Sequence, residues 1–214
     1  MSHHFLGFFS GFPSRRFPEA VLRRLDEELT QRSSLVFISA WPEDYARNDE
    51  DSAGMYRMFS EERMAFPKRA VIDARMEAAQ AQALVREASC IFLMGGHPGQ
   101  QMQLLRAKGL DAAISTATAA VFGVSAGAIN MAKRALDTKE SPVPYDGLGL
   151  ADITVKPHFR PADRQALSAL LHISEVLPIY AMEDDSAIFV MDGQASFTGR
   201  IHRIDQRSIS DLTR

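Results

Sequence analysis

Short runs of consecutive apolar residues alternate along the chain with longer stretches in which apolar positions recur every three to four residues. The short runs predict strands buried on both faces, and the longer stretches predict amphipathic helices. Residues 5–10 form the first run, closed by Gly11, Pro13 and Ser14. Pro18 opens a helix with Val21, Leu22, Leu25 and Leu29 on one face and Arg23, Arg24, Glu27 and Glu28 on the other. Residues 34–39, the shorter 70–72 and 89–94 read as the next strands. A polar stretch over 42–51 leads into a helical pattern over 55–66, and 77–87 gives another helix. Helical patterns over 100–108 and 110–118 precede an apolar run that starts at Ala119 and ends at Ser125.

This β-α alternation predicts an α/β fold: a doubly wound, mostly parallel sheet with helices on both faces. The remainder is less regular. Residues 137–150, with Pro142, Pro144, Gly147 and Gly149, read as loop, and 152–156 alternate like a half-exposed strand stopped by Pro157. Pro161 and Asp163 open a helix to about Val176. Runs 179–182 and 187–191 are expected to pair as a hairpin around Glu183-Asp184-Asp185-Ser186. Residues 195–209, interrupted at Gly199, are expected to form another antiparallel pair. No repeat or linker divides the chain, so one domain over residues 1–214 is expected.

Composition narrows the function classes. The chain is 46% hydrophobic and 24% charged, with a net charge of −3 from 24 basic and 27 acidic residues. That is ordinary for a globular protein and offers no basic excess for nucleic acid or an anionic membrane. No apolar run approaches the roughly 20 residues of a membrane span, and no signal-peptide pattern opens the chain. The single cysteine, Cys90, excludes an intramolecular disulfide and fits a reducing compartment, so a cytoplasmic location is expected. Cys90 reads as a small core hydrophobe, and Trp41, after a strand end, as either a site wall or a core cover. Edge strands and the Phe-rich N-terminus could support a homodimer.

The chemistry gathers around Gly123-Val124-Ser125-Ala126-Gly127-Ala128, where a strand meets a helix through Gly-x-Ser-x-Gly. Such an elbow lifts a serine hydroxyl beyond the sheet and aims a helix N-terminus at the same point. A nucleophilic serine needs a base, an acid to orient the base, and two N–H donors for the oxyanion. Of six histidines, His3 and His4 lie at the terminus, His97 follows Gly95-Gly96, and His172 falls inside a helical pattern. His158 directly follows a strand and a proline and is the favoured base; its bland alternative is a loop-filling or helix-capping role. His202, in a polar strand, would be the base of an α/β-hydrolase-type esterase, whose chain order is Ser, acid, His. The acid comes from Glu183, Asp184 or Asp185, unless those residues are only a solvated turn. The N–H of Ala126 and the Gly95-Gly96 turn offer the oxyanion donors.

With those residues in place, the chain resembles the aspartyl dipeptidase (dipeptidase E) and cyanophycinase-like serine peptidases, which share the class I glutamine amidotransferase-like fold. Three blocks carry the resemblance: 90–96 with Met102-Gln103-Leu104-Leu105, the 123–128 elbow, and the 153–159 segment ending Lys156-Pro157-His158-Phe159. The resemblance implies Ser125 as nucleophile, His158 as base, and Gly96 with Ala126 as oxyanion donors. It places the acid, a glutamate in the family, at Asp184, with Glu183 adjacent. His97 stands where the family has asparagine, at the substrate. Arg160 and Arg164 stand in the segment from which the family's arginine reads an N-terminal aspartate. It implies small peptides as substrates and no metal or organic cofactor. A non-catalytic amidotransferase-like binding domain is the third reading.

Overall fold

A computed structural model describes residues 5–138 and 143–213. His3, His4 and Pro142 lie outside the described residues. In chain order the elements are β1 (Leu6–Phe9), α1 (Glu19–Glu28), β2 (Ser34–Ile38), α2 (Tyr45–Glu61), β3 (Lys68–Ile72), α3 (Ala78–Glu87), β4 (Cys90–Leu93), α4 (Pro98–Ala107), α5 (Leu110–Thr116), β5 (Ala120–Val124) and α6 (Ala126–Met131). Then follow β6 (Arg134–Ala135), β7 (Tyr145–Asp146), β8 (Val155–Lys156), α7 (Arg164–Ile173), β9 (Ile179–Met182), β10 (Ala187–Met191), β11 (Gln194–Thr198), β12 (Ile201–Asp205) and β13 (Ser208–Asp211).

The main sheet has the order β11-β10-β1-β5-β4-β2-β3. Its five strands from β1 to β3 are parallel; β10 joins them antiparallel to β1, and β11 pairs antiparallel with β10 at the edge. The continuous apolar runs follow from burial on both faces. Phe9, Phe37, Phe92 and Phe122 point to one face, where they pack with Val21 and Leu25 of α1 and Phe59 of α2. Their neighbours Phe8, Ile38, Leu93 and Val121 point to the other, against α3, α4, α5 and α6. A second sheet, β13-β12-β9-β8, forms a smaller cluster with α7 through Leu136, Phe159, Leu170, Ile179, Ala181 and Ile204. Among the described residues, no helix is long and apolar enough to cross a membrane.

Three expectations are corrected. The helix expected over 55–66 is α2, which starts ten residues earlier and stops at Glu61. Asp44 caps it by accepting from the Arg47 N–H, and its inward face carries Asn48 and Ser52, so apolar periodicity could not mark the first turns. The strands on either side of Glu183–Ser186 do not form a hairpin. β9 pairs with β8 and β12 in the second sheet, whereas β10 pairs with β1 and β11 in the main one. The acidic stretch is therefore a crossing between sheets. Gly199 marks the return crossing, at φ 74° and packed on Ser186, so β11 and β12 pair in different sheets and not with each other.

Candidate active site

The main sheet's parallel strands all end on one edge, and the sequence-predicted groups collect there. At the elbow between β5 and α6, Ser125 takes φ 52° and ψ −109°. The flanking glycines are required by contact. A Cβ on Gly123 would lie 2.5 Å from the Gly127 carbonyl carbon, and one on Gly127 would lie 2.1 Å from the Leu93 oxygen. The Ser125 N–H donates to the Phe9 carbonyl at 3.0 Å, which ties the elbow to the end of β1.

His158 follows β8 and Pro157 and also has positive φ, 54°. Its Nε2 is 2.9 Å from Ser125 Oγ, and its Nδ1 is 2.6 Å from Asp184 Oδ1. With the proton on Nδ1, donating to Asp184, Nε2 is left to accept from the Ser125 hydroxyl. The three candidate acids are separated. Glu183 turns to the other side, where its Oε1 is 2.8 Å from His202 Nε2. His202, on β12, is thereby committed to Glu183, and the Ser125 hydroxyl faces His158. Asp185 takes φ 63° at the crossing, and its N–H donates to the Gly11 carbonyl. Burial, and then the neighbouring Asp184 carboxylate, raise the Asp185 pKa above the usual aspartate range.

Two residues that sequence reasoning left in a strand end and a loop support this line. Ser10 is fully buried; its Oγ accepts from the His158 N–H at 2.7 Å and donates to the Met182 carbonyl at 3.0 Å. A Cβ on Gly11 would lie 2.5 Å from His158 Cε1 and 3.1 Å from Asp184 Oδ1. The only signal in the sequence was a Ser-Gly pair at the end of an apolar run.

Ala126 is the first residue of α6, so its N–H has no acceptor within the helix. Gly96 faces it from the β4–α4 turn with φ 145°, where a Cβ would lie 2.3 Å from Trp41 Nε1. Trp41 therefore packs under the Gly96 peptide. Its backbone is held from below: Trp41 N–H donates to Ser39 Oγ, and Asn48 Nδ2 donates to the Trp41 carbonyl and to the buried Asp73. On the other side of the turn, Gln101 Nε2 donates to the Ile38 and Met94 carbonyls, and its Oε1 accepts from Asn130 Nδ2 in α6. These bonds fix the two N–H-bearing segments relative to each other.

Two cavities share Ser125, His158 and Gly96. The larger, about 350 Å³, lies towards α2; the smaller, about 170 Å³, is bounded by Trp41, His97, Asp137 and Lys156. His97 is thus beside the serine; its Nδ1 also accepts from the Gln100 N–H and caps α4. Arg160 and Arg164 line neither cavity: both are exposed, and Arg164 opens α7. Cys90 is fully buried, and desolvation pushes its thiol pKa up, so it is held as an uncharged side chain. Among the described residues, no His, Cys, Asp and Glu group is arranged to hold a metal ion.

The model of peptidase family S51 matches residues 20–198. The structure of a peptidase from an acI-B1 Actinobacterium superposes with a TM-score of 0.75 at 16% identity, covering 99% of this chain and 94% of that one. A candidate peptidase E from Listeria monocytogenes EGD-e superposes with a TM-score of 0.68 at 19% identity, over 92% of this chain and 98% of the other. No curated protein matches the chain in sequence.

Proposed function

The chain belongs to peptidase family S51, the dipeptidase E family, and from that premise we propose that it cleaves short peptides through Ser125, His158 and Asp184 and an acyl-enzyme. The observation that carries this reading is the unbroken line from carboxylate to imidazole to hydroxyl, at 2.6 and 2.9 Å. Its three members come from a sheet crossing, a strand end and an elbow, and chance rarely aligns such separate elements.

In the proposed reaction, Ser125 Oγ attacks the scissile carbonyl carbon while its proton passes to His158 Nε2. Asp184 accepts the Nδ1–H and stabilises the imidazolium. The carbonyl oxygen becomes an oxyanion between the N–H groups of Gly96 and Ala126, where each donor is worth roughly 3 kcal/mol of barrier. Collapse of the intermediate breaks the C–N bond. The imidazolium gives its proton to the leaving amine, and a water activated by the same imidazole releases the new carboxylate.

A fluorophosphonate probe tests this. Ser125 should be labelled in the native chain and in His202→Ala, and not in His158→Ala. A folded native chain left unlabelled, while a control serine peptidase reacts, would remove the catalytic reading.

A further inference from the structure

The larger cavity beside Ser125 has an apolar base and a charged mouth. Phe92, Met58 and Met94 are buried at its base, and Met55 of α2 is half-buried against them. The charged side chains that border it beyond His158 are Arg15, Arg47, Glu50 and Asp51, all of them exposed. Of the two cations, Arg47 is engaged, 3.4 Å from Asp51 and stacked 4.7 Å above the Trp41 ring, and Arg15 is exposed at the rim, away from the buried base and alongside the acids Glu50 and Asp51. The cations expected to read an acidic side chain, Arg160 and Arg164, border neither cavity. A carboxylate pushed to the base would lose its water and meet methionine and phenylalanine, a placement that costs far more than it returns. An apolar side chain there gains what burial gives, and methionine walls adapt to its shape.

We propose that this cavity is the specificity subsite and that it takes an uncharged apolar side chain, of Met, Leu or Phe size, from a residue flanking the scissile bond. The substrate class is then short peptides with an apolar residue at that position, not aspartyl peptides. The inference rests on the peptidase reading only for the word "scissile"; the cavity's preference is a binding property.

The test is therefore a binding experiment. In Ser125→Ala, dipeptides Leu-Ala, Met-Ala, Phe-Ala and Asp-Ala, and the reversed set, are titrated while the emission of Trp41, the only tryptophan, is followed. The best apolar dipeptide should bind about 10- to 100-fold more tightly than the best aspartyl one, the range that side-chain discrimination in an apolar pocket reaches. Met55→Lys should cut that ratio about 10-fold or more, with its circular dichroism unchanged. Equal or tighter binding of the aspartyl peptides, or no saturable binding by any peptide, overturns the proposal. If the apolar peptides bind as expected but native Ser125 takes no fluorophosphonate, the subsite stands and the catalytic reading falls.

Discussion

Ser125 and His158 both have positive φ, where a residue with a Cβ persists only if its surroundings hold it. For His158 the holding group is Ser10, which satisfies the imidazole residue's N–H from a buried position, and Gly11 leaves the space the ring fills. Both roles fall to small residues with no distinctive chemistry, so a sequence displays the serine elbow and the Pro-His pair but not what fixes them. Gly11→Ala should leave the fold intact, since Gly11 is not among the positive-φ residues, yet displace the ring. We expect kcat/KM and the fluorophosphonate labelling rate to fall about 100-fold, the usual effect of a misplacement of about 1 Å. The choice between the acids is equally sharp. Asp184→Asn should lower kcat by roughly 10³- to 10⁴-fold by favouring the wrong tautomer. Glu183→Gln, which loses only the His202 contact, should stay within about 10-fold of native in the same steady-state assay. Asp185 gives a pH test. Its raised pKa means that ionising it costs folded-state stability, so its contribution is present below the unfolded pKa and lost as pH rises through the folded one. Asp185→Asn should therefore raise the Tm at pH 7 relative to native and lose that advantage at pH 3.

At the level of elements, the parallel strands were legible because burial on both faces writes them as apolar runs. The first turns of α2 were not, because that face buries Asn48 and Ser52 and satisfies them with hydrogen bonds instead of apolar contact. The hidden polar face has a consequence for the site. Asp73 joins Asn48 to Arg75, and Asn48 in turn holds the Trp41 carbonyl beneath Gly96. Asp73→Ala leaves the Asn48 amide short of an acceptor in a buried setting, at a cost of about 1–3 kcal/mol. The stability loss should be read in urea, and with it a change in Trp41 emission. If Trp41 positions the Gly96 N–H, kcat should fall by more than KM rises; a purely structural loss would leave kcat per folded molecule unchanged.

Across the whole molecule, the proposed triad straddles two sheets of unequal strength. Ser125 stands on the main sheet, sealed by clusters on both faces, whereas His158 follows β8 and is anchored by Phe159, whose N–H donates to Met182 of β9. No pattern in the sequence says which sheet a strand will join, and an apolar run of four or five residues reads alike in either; the 183–186 crossing therefore passed for a hairpin tip. Its true geometry makes the proposed base and acid products of sheet docking. The second sheet turns one face to a small apolar cluster shared with α7 and the other, through Val155, Met182 and Ile201, to the main cluster, and β8 is only two residues long, Val155 and Lys156. Regions with few buried apolar contacts open at lower free energy than the global transition. Under increasing urea, peptidase activity should therefore disappear before Trp41 emission reports unfolding of the main sheet. In native-state hydrogen exchange, the amides of Phe159, Tyr180 and Glu183 should exchange faster than those of β1, β4 and β5. Coincident loss of activity and emission, with uniform protection across both sheets, would show instead that the two sheets unfold as one unit and that the crossing is as rigid as the elbow it serves.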